Sequence, residues 1–211
     1  MSATLLLRRA DDVLRGRTES YPWWLLVLCG LFYGGVMGAY GARGWQVIYS
    51  ALKVPLLLVA TLMLSLPSYY VANTLVGLRS DFVPALRAIV ASQAVLTIVL
   101  ASLAPLTVLW YASFTDYYSA VLFNAAMFGV SSLAAQVVLS RGYRPLIVRN
   151  ARHRWLLRLW IGIYAFVGIQ MGWTLRPFIG APNQPVRFFR GGEFENAYVI
   201  VARMVWETLI P

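Results

Sequence analysis

The chain has one cysteine, one histidine and few charges, and these three shortages remove most enzyme classes before any motif is sought. Cys29 lies inside an apolar run and is the one cysteine, so an intrachain disulfide is impossible and a cysteine-based metal site is not expected. A lone cysteine there reads as a small packing residue. His153 sits in the stretch RGYRPLIVRNARHR, residues 141–154, where the arginines would repel a metal ion. A Ser or Cys nucleophile wants a base, usually histidine, and the expectation for His153 is a solvated loop residue. Haem held by two histidines is excluded by count. No apolar run carries paired carboxylates at its centre, since Asp81 and Asp116 fall at run ends. That weighs against proton-coupled transport, although amides and the carbonyls of broken helices can also bind ions. Gly191-Gly192 lacks the lysine and spacing of a phosphate loop. The expectation is therefore no catalytic residue, no metal and no cofactor.

What the chain has is apolar length. Hydrophobic residues make up 60% and charged residues 12%, against roughly 25% charged in a soluble domain. A soluble fold of this size could not hide so much apolar surface, so much of it must face lipid. The expected fold is all-α: one polytopic transmembrane bundle of about five spans, with interfacial helices at both termini. The net charge of +10 would suggest nucleic acid in a soluble domain. Here the charges flank apolar spans, and no basic run alternates with aromatics as base stacking would want. They are read as orientation signals that meet anionic headgroups, with no nucleic acid as partner.

Along the chain, residues 1–21 form a charged leader in which Leu6, Leu7, Ala10, Val13 and Leu14 recur at helical spacing. This predicts an amphipathic helix on the membrane surface, with a solvated leader as the alternative. The first apolar run is longer than the roughly 7–15 residues of a signal-peptide core and is expected to be retained. The expected spans are residues 22–40, 47–72, 84–112, 117–139 and 155–175. Lys53 should snorkel to the near interface, and Pro55, Pro67 and Pro105 should bend or break their helices. Residues 141–154 read as the longest and most basic loop. Residues 176–211 read as an outer loop followed by an apolar segment, 197–210, shorter than the ~20 residues of a crossing and expected to be an interfacial or docked helix, with a sixth span as the alternative. Arginines cluster in the leader, around Arg79 and Arg87, and at residues 141–154, which places those segments and the N-terminus in the cytoplasm of a bacterial inner membrane protein.

Three groups of positions stand out. Gly30, Gly34 and Gly38 in the first span, and Gly162, Gly168 and Gly172 in the fifth, fall at spacings that let helices approach closely. Gln93, Asn124, Gln136 and Gln170 lie within spans, and buried amides normally bond between helices. Asp116, Arg176 and Glu193 fall on one outer face, where Arg176 is expected to pair with an acid or meet a phosphate headgroup.

The runs SALKVPLLLVATLMLSLPSYYVANTLVG, ASLAPLTVLWY and GIQMGWTLRPFIGAP resemble a family of uncharacterised bacterial polytopic membrane proteins, over about residues 22–190. The five-span plan more distantly resembles Yip1-domain proteins, without their short motifs. The second resemblance implies an adaptor or membrane-organising role and supplies no catalytic residues. The first implies no particular activity, and neither supplies catalytic residues. The residue-level expectation is a non-catalytic scaffold or accessory subunit that meets other membrane subunits or itself. The alternative is a small transporter or channel with an amide-lined path, and a third option is a lipid enzyme using Arg176, Asp116 and Glu193.

Overall fold

The computed structural model describes residues 23–181 and 184–189. The leader at 1–21, Gly191-Gly192, Glu193 and the segment 197–210 lie outside the described residues. Five α-helices run in sequence: α1 Trp23–Gly38, α2 Gly44–Leu75, α3 Phe82–Ser113, α4 Tyr117–Arg149 and α5 Arg152–Thr174. No strand occurs among the described residues. Four helices, α2 to α5, are long and apolar enough to cross a membrane, while α1 is shorter at 16 residues. The chain is a multi-pass membrane helical bundle.

Helix ends follow local chemistry. The carboxylate of Asp116 accepts from the Ser119 amide at 2.7 Å and starts α4. Gly77, at φ +78, ends α2: its amide reaches the Thr74 carbonyl while the Leu78 amide reaches Asn73. That paired closure needs a left-handed residue, a place for glycine.

Two expectations about helix continuity are corrected. Residues 141–149 are not a loop but the last turns of α4, and only Asn150 and Ala151 separate α4 from α5. The arginines at 141, 144 and 149 are solvated from a helix that outruns its apolar stretch. Pro55, Pro67 and Pro105 leave α2 and α3 unbroken. Each removes one backbone donor, and the helix continues through it. Pro55 is buried, and a Cβ built on Gly30 would lie 3.4 Å from its ring, so a glycine gap receives it.

Helix α1 packs between α2 and α3, α4 lies along α3, and α5 lies along α2. Helices α4 and α5 touch little. Two apolar clusters fill opposite ends. One, around Tyr69, Ile89, Tyr143, Leu156 and Trp160, joins α2 to α5 near the short α4–α5 link. The other, around Tyr33, Met37, Val54, Leu100 and Ile179, joins α1 to the far ends of the remaining helices.

The glycines divide sharply. A Cβ on Gly38 would meet the Gln46 carbonyl oxygen at 2.6 Å, and one on Gly34 would meet Ala51 Cα at 2.9 Å. Gly168 has Thr61 at ordinary contact distance, 3.5 Å, while Gly162 and Gly172 have nothing within 4 Å. Gly38→Ala should therefore destabilise the folded bundle by about 1–3 kcal/mol through overpacking. Gly162→Ala should be neutral or add up to about 1 kcal/mol by helix propensity. Unfolding in mild detergent checks both, and equal effects would show that the α1–α2 contact is looser than described.

Candidate intramembrane cleft

Because α4 and α5 diverge, a cleft opens between the α2–α5 and α3–α4 pairs. It has two chambers. The one toward the α5 C-terminus has a volume of about 340 Å³ and is lined by α4, the segment after α5 and one residue each from α1 and α2, including Asn124, Arg176 and Phe178. The deeper one has about 300 Å³ and is lined by α2 to α5, including Thr61, Gln93, Gln136 and Tyr164. Leu57 and Phe128 line both, marking the boundary between them. Each volume sits at the low end of small-molecule sites, roughly 300–1,000 Å³.

The amides of the spans are placed as follows. Gln93 is buried on α3, and its Oε1 accepts from Tyr164 Oη of α5 at 2.6 Å. Asn124 is buried on α4, accepts from Tyr33 Oη of α1 at 3.0 Å, and donates to Tyr111 Oη of α3 at 2.8 Å and to the Ala120 carbonyl at 2.8 Å. Both thus join helices far apart in sequence. Gln136 lines the deeper chamber, with no hydrogen-bond partner for its buried Oε1. Thr61, 1% exposed, faces the same chamber with its Oγ1 likewise unpartnered. The Gln170 carbonyl accepts from Thr174 Oγ1 at 3.0 Å within α5. Asp116 is spent on the α4 cap, and the Arg176 guanidinium stacks 3.5 Å over the Trp173 ring.

The segment after α5 folds back onto α2. Lys53, expected to snorkel outward, is instead fully buried. Its Nζ donates to the Pro177 carbonyl at 2.7 Å and lies 4.9 Å from the Phe188 ring centre. Gln46 Nε2 reaches the Phe178 carbonyl at 3.1 Å, and Ser50 Oγ donates to the same oxygen. Arg43 adds donors to the Ala181 and Gln184 carbonyls at 2.9 and 2.7 Å. One face of α2 therefore supplies three donor side chains, and Arg43 just before the helix a fourth, to one strip of irregular backbone. Away from water such carbonyls need partners, and this spacing provides them. Gln46 and Ser50 are four apart and Lys53 three further on, one helical face, a signal readable in the sequence only once the returning segment is known.

At the opposite end, His153 is also corrected. It is fully buried at the start of α5, and its Nε2 lies 3.0 Å from Asp81 Oδ2. Arg149 donates to the other carboxylate oxygen at 2.8 Å. The arginines around His153 point outward while its ring turns in, against Tyr143. Tyr143 in turn hydrogen-bonds Tyr69 of α2.

Compared with known proteins, the chain matches no family model, no curated protein and no solved structure.

Asp81 holds a buried partner and an exposed one, which separates its two bonds energetically. The Arg149 side chain is 70% exposed, so Arg149→Ala should cost under about 1 kcal/mol. Asp81→Ala leaves the His153 ring without its partner and should cost about 1–3 kcal/mol. Denaturant unfolding in detergent measures both, and an Arg149→Ala loss as large as that of Asp81→Ala would contradict the ranking.

Proposed function

We propose that the protein is a non-catalytic membrane scaffold or accessory subunit of a larger assembly. The observation that carries this reading is the use of the intramembrane polar groups. Gln93 bonds Tyr164 across α3 and α5, and Asn124 bonds Tyr33 and Tyr111 across α4, α1 and α3. These side chains are consumed in fixing the bundle, which suits a rigid part more than a moving one. The most apolar stretches of α4 and α5 are only 17% buried, against 61% for α3, so two helices offer most of their surface to lipid or to a partner.

The α4–α5 end carries exposed arginines at 79, 87, 141, 144, 152, 154 and 158. Under the positive-inside rule this end faces the cytoplasm, where it meets anionic headgroups. In a bacterial inner membrane the N-terminus lies on the same side.

Purification in mild detergent should recover the protein with another membrane subunit or as a self-associated complex. Isolation as a lone monomer under those conditions would contradict the scaffold reading. The second reading, a small transporter, draws on the two-chambered cleft with Thr61 and Gln136 directed into it. It requires solute flux in reconstituted vesicles that falls on Gln136→Ala or Gln93→Ala. The scaffold reading expects no flux, and a loss of stability of about 1 kcal/mol for Gln93→Ala, the scale of one interhelical hydrogen bond.

A further inference from the structure

We propose that the deeper chamber binds the head of a neutral, membrane-soluble molecule carrying a free hydroxyl, held between Thr61 of α2 and Gln136 of α4. The inference goes beyond the scaffold reading and stands on the chamber alone.

The polar atoms set the requirement. Thr61 is 1% exposed, and its Oγ1 has no hydrogen-bond partner. Gln136 Oε1 is likewise buried and unpartnered, and both residues line the chamber. Buried polar atoms are normally hydrogen-bonded, and one left unpaired carries its full desolvation cost. An amide oxygen only accepts, so Gln136 needs a donor, whereas a threonine hydroxyl both gives and takes. Two neighbouring hydroxyls are already spent. Tyr164 Oη donates to Gln93 Oε1 at 2.6 Å, and Ser92 Oγ donates to the Ile89 carbonyl of its own helix at 2.7 Å. A hydroxyl on the ligand meets both needs in kind. A carbonyl or an ether would serve Thr61 and leave Gln136 without a donor.

Charge and shape narrow the class. No charged side chain is among the described residues lining this chamber. An ionised head would therefore sit at membrane depth without a counter-charge, which is costly. The space of about 300 Å³ would take about ten waters at roughly 30 Å³ each. Most of the lining is apolar, with Leu57, Leu58, Leu96, Phe128, Leu139 and Ile161 among it, which favours a largely apolar occupant over that much water. Ala165 and Ile169 of α5 line the chamber and are exposed, and α4 and α5 touch little. The chamber thus opens sideways, so an apolar tail can lie in the bilayer while the hydroxyl stays inside. Diacylglycerols and quinols share this chemistry.

The test is native mass spectrometry of the full chain in detergent with two matched pairs of probes. One pair is dioctanoylglycerol and its methyl ether, and the other is decylquinol and its dimethyl ether. At least one hydroxyl form should be retained about tenfold more tightly than its ether, the scale of a buried acceptor left without a donor. The pair that shows the preference identifies the source. Gln136→Leu should bring the hydroxyl and ether forms level, and Thr61→Val should weaken both. Ala165→Trp, filling the deeper chamber, should block retention and serves where a polar variant does not fold. Ala125→Trp, filling the outer chamber instead, should change nothing. Ethers retained as tightly as their hydroxyl forms would overturn the proposal in favour of a purely apolar site. Retention of no probe would overturn it in favour of a chamber that holds only water. Retention lost with Ala125→Trp and kept with Ala165→Trp would overturn it in favour of the outer chamber.

Discussion

The bond from Lys53 to the Pro177 carbonyl is the constraint on which the outer half of the bundle depends. Lys53 is the only lysine in the chain, and it is buried in the third turn of α2, about 14 Å from the helix start. A primary amine at that depth is costly unless it finds acceptors. Residues 177–181 have the complementary need, because irregular backbone beside lipid must have its carbonyls satisfied. Each solves the other's problem. The Pro177 contact at 2.7 Å, the Gln46 and Ser50 bonds to Phe178 and the Arg43 bonds beyond form one seam. The seam also sets where Arg176 and Phe178 stand, and hence the shape of the outer chamber.

The other end is fixed in a different way. There the α2–α3 turn, the end of α4 and the start of α5 meet at Asp81, Arg149 and His153. The Tyr69–Tyr143 bond and the packed Trp160 lie just inside them. Between these two fastened ends α4 and α5 separate, so the cleft follows from where the polar ties fall. The close approach of α1 to α2 at Gly34 and Gly38 adds stiffness on the side away from the opening.

Much of the fold was legible because bilayer physics writes it in composition. The apolar runs mark the spans, and the break between the expected spans 84–112 and 117–139 falls where α3 ends at Ser113 and α4 begins at Tyr117. The misreadings have a common cause. Local sequence shows a residue's neighbours in the chain, whereas His153 is defined by Asp81, 72 residues away, and Lys53 by Pro177, 124 away. Residues 141–149 look like a loop because their charges end the apolar run, yet the helix continues past that run with Arg141, Arg144 and Arg149 exposed. The glycines show the same limit: Gly38 and Gly162 carry the same signal of spacing, but only the first meets a neighbouring helix. Gln93 and Asn124 could be named from sequence, but not the tyrosines they bond.

Reaction of a cysteine placed at Ile179 with a water-soluble maleimide tests the central claim most directly, in a Cys29→Ser background with and without Lys53→Met. Ile179 is buried beside the seam, so if the α2 seam holds this segment the Ile179→Cys thiol reacts slowly. It should react markedly faster once Lys53→Met is added. Equally slow reaction in both proteins would contradict the account, because it would mean that the segment is held by something other than Lys53 and its neighbours on α2.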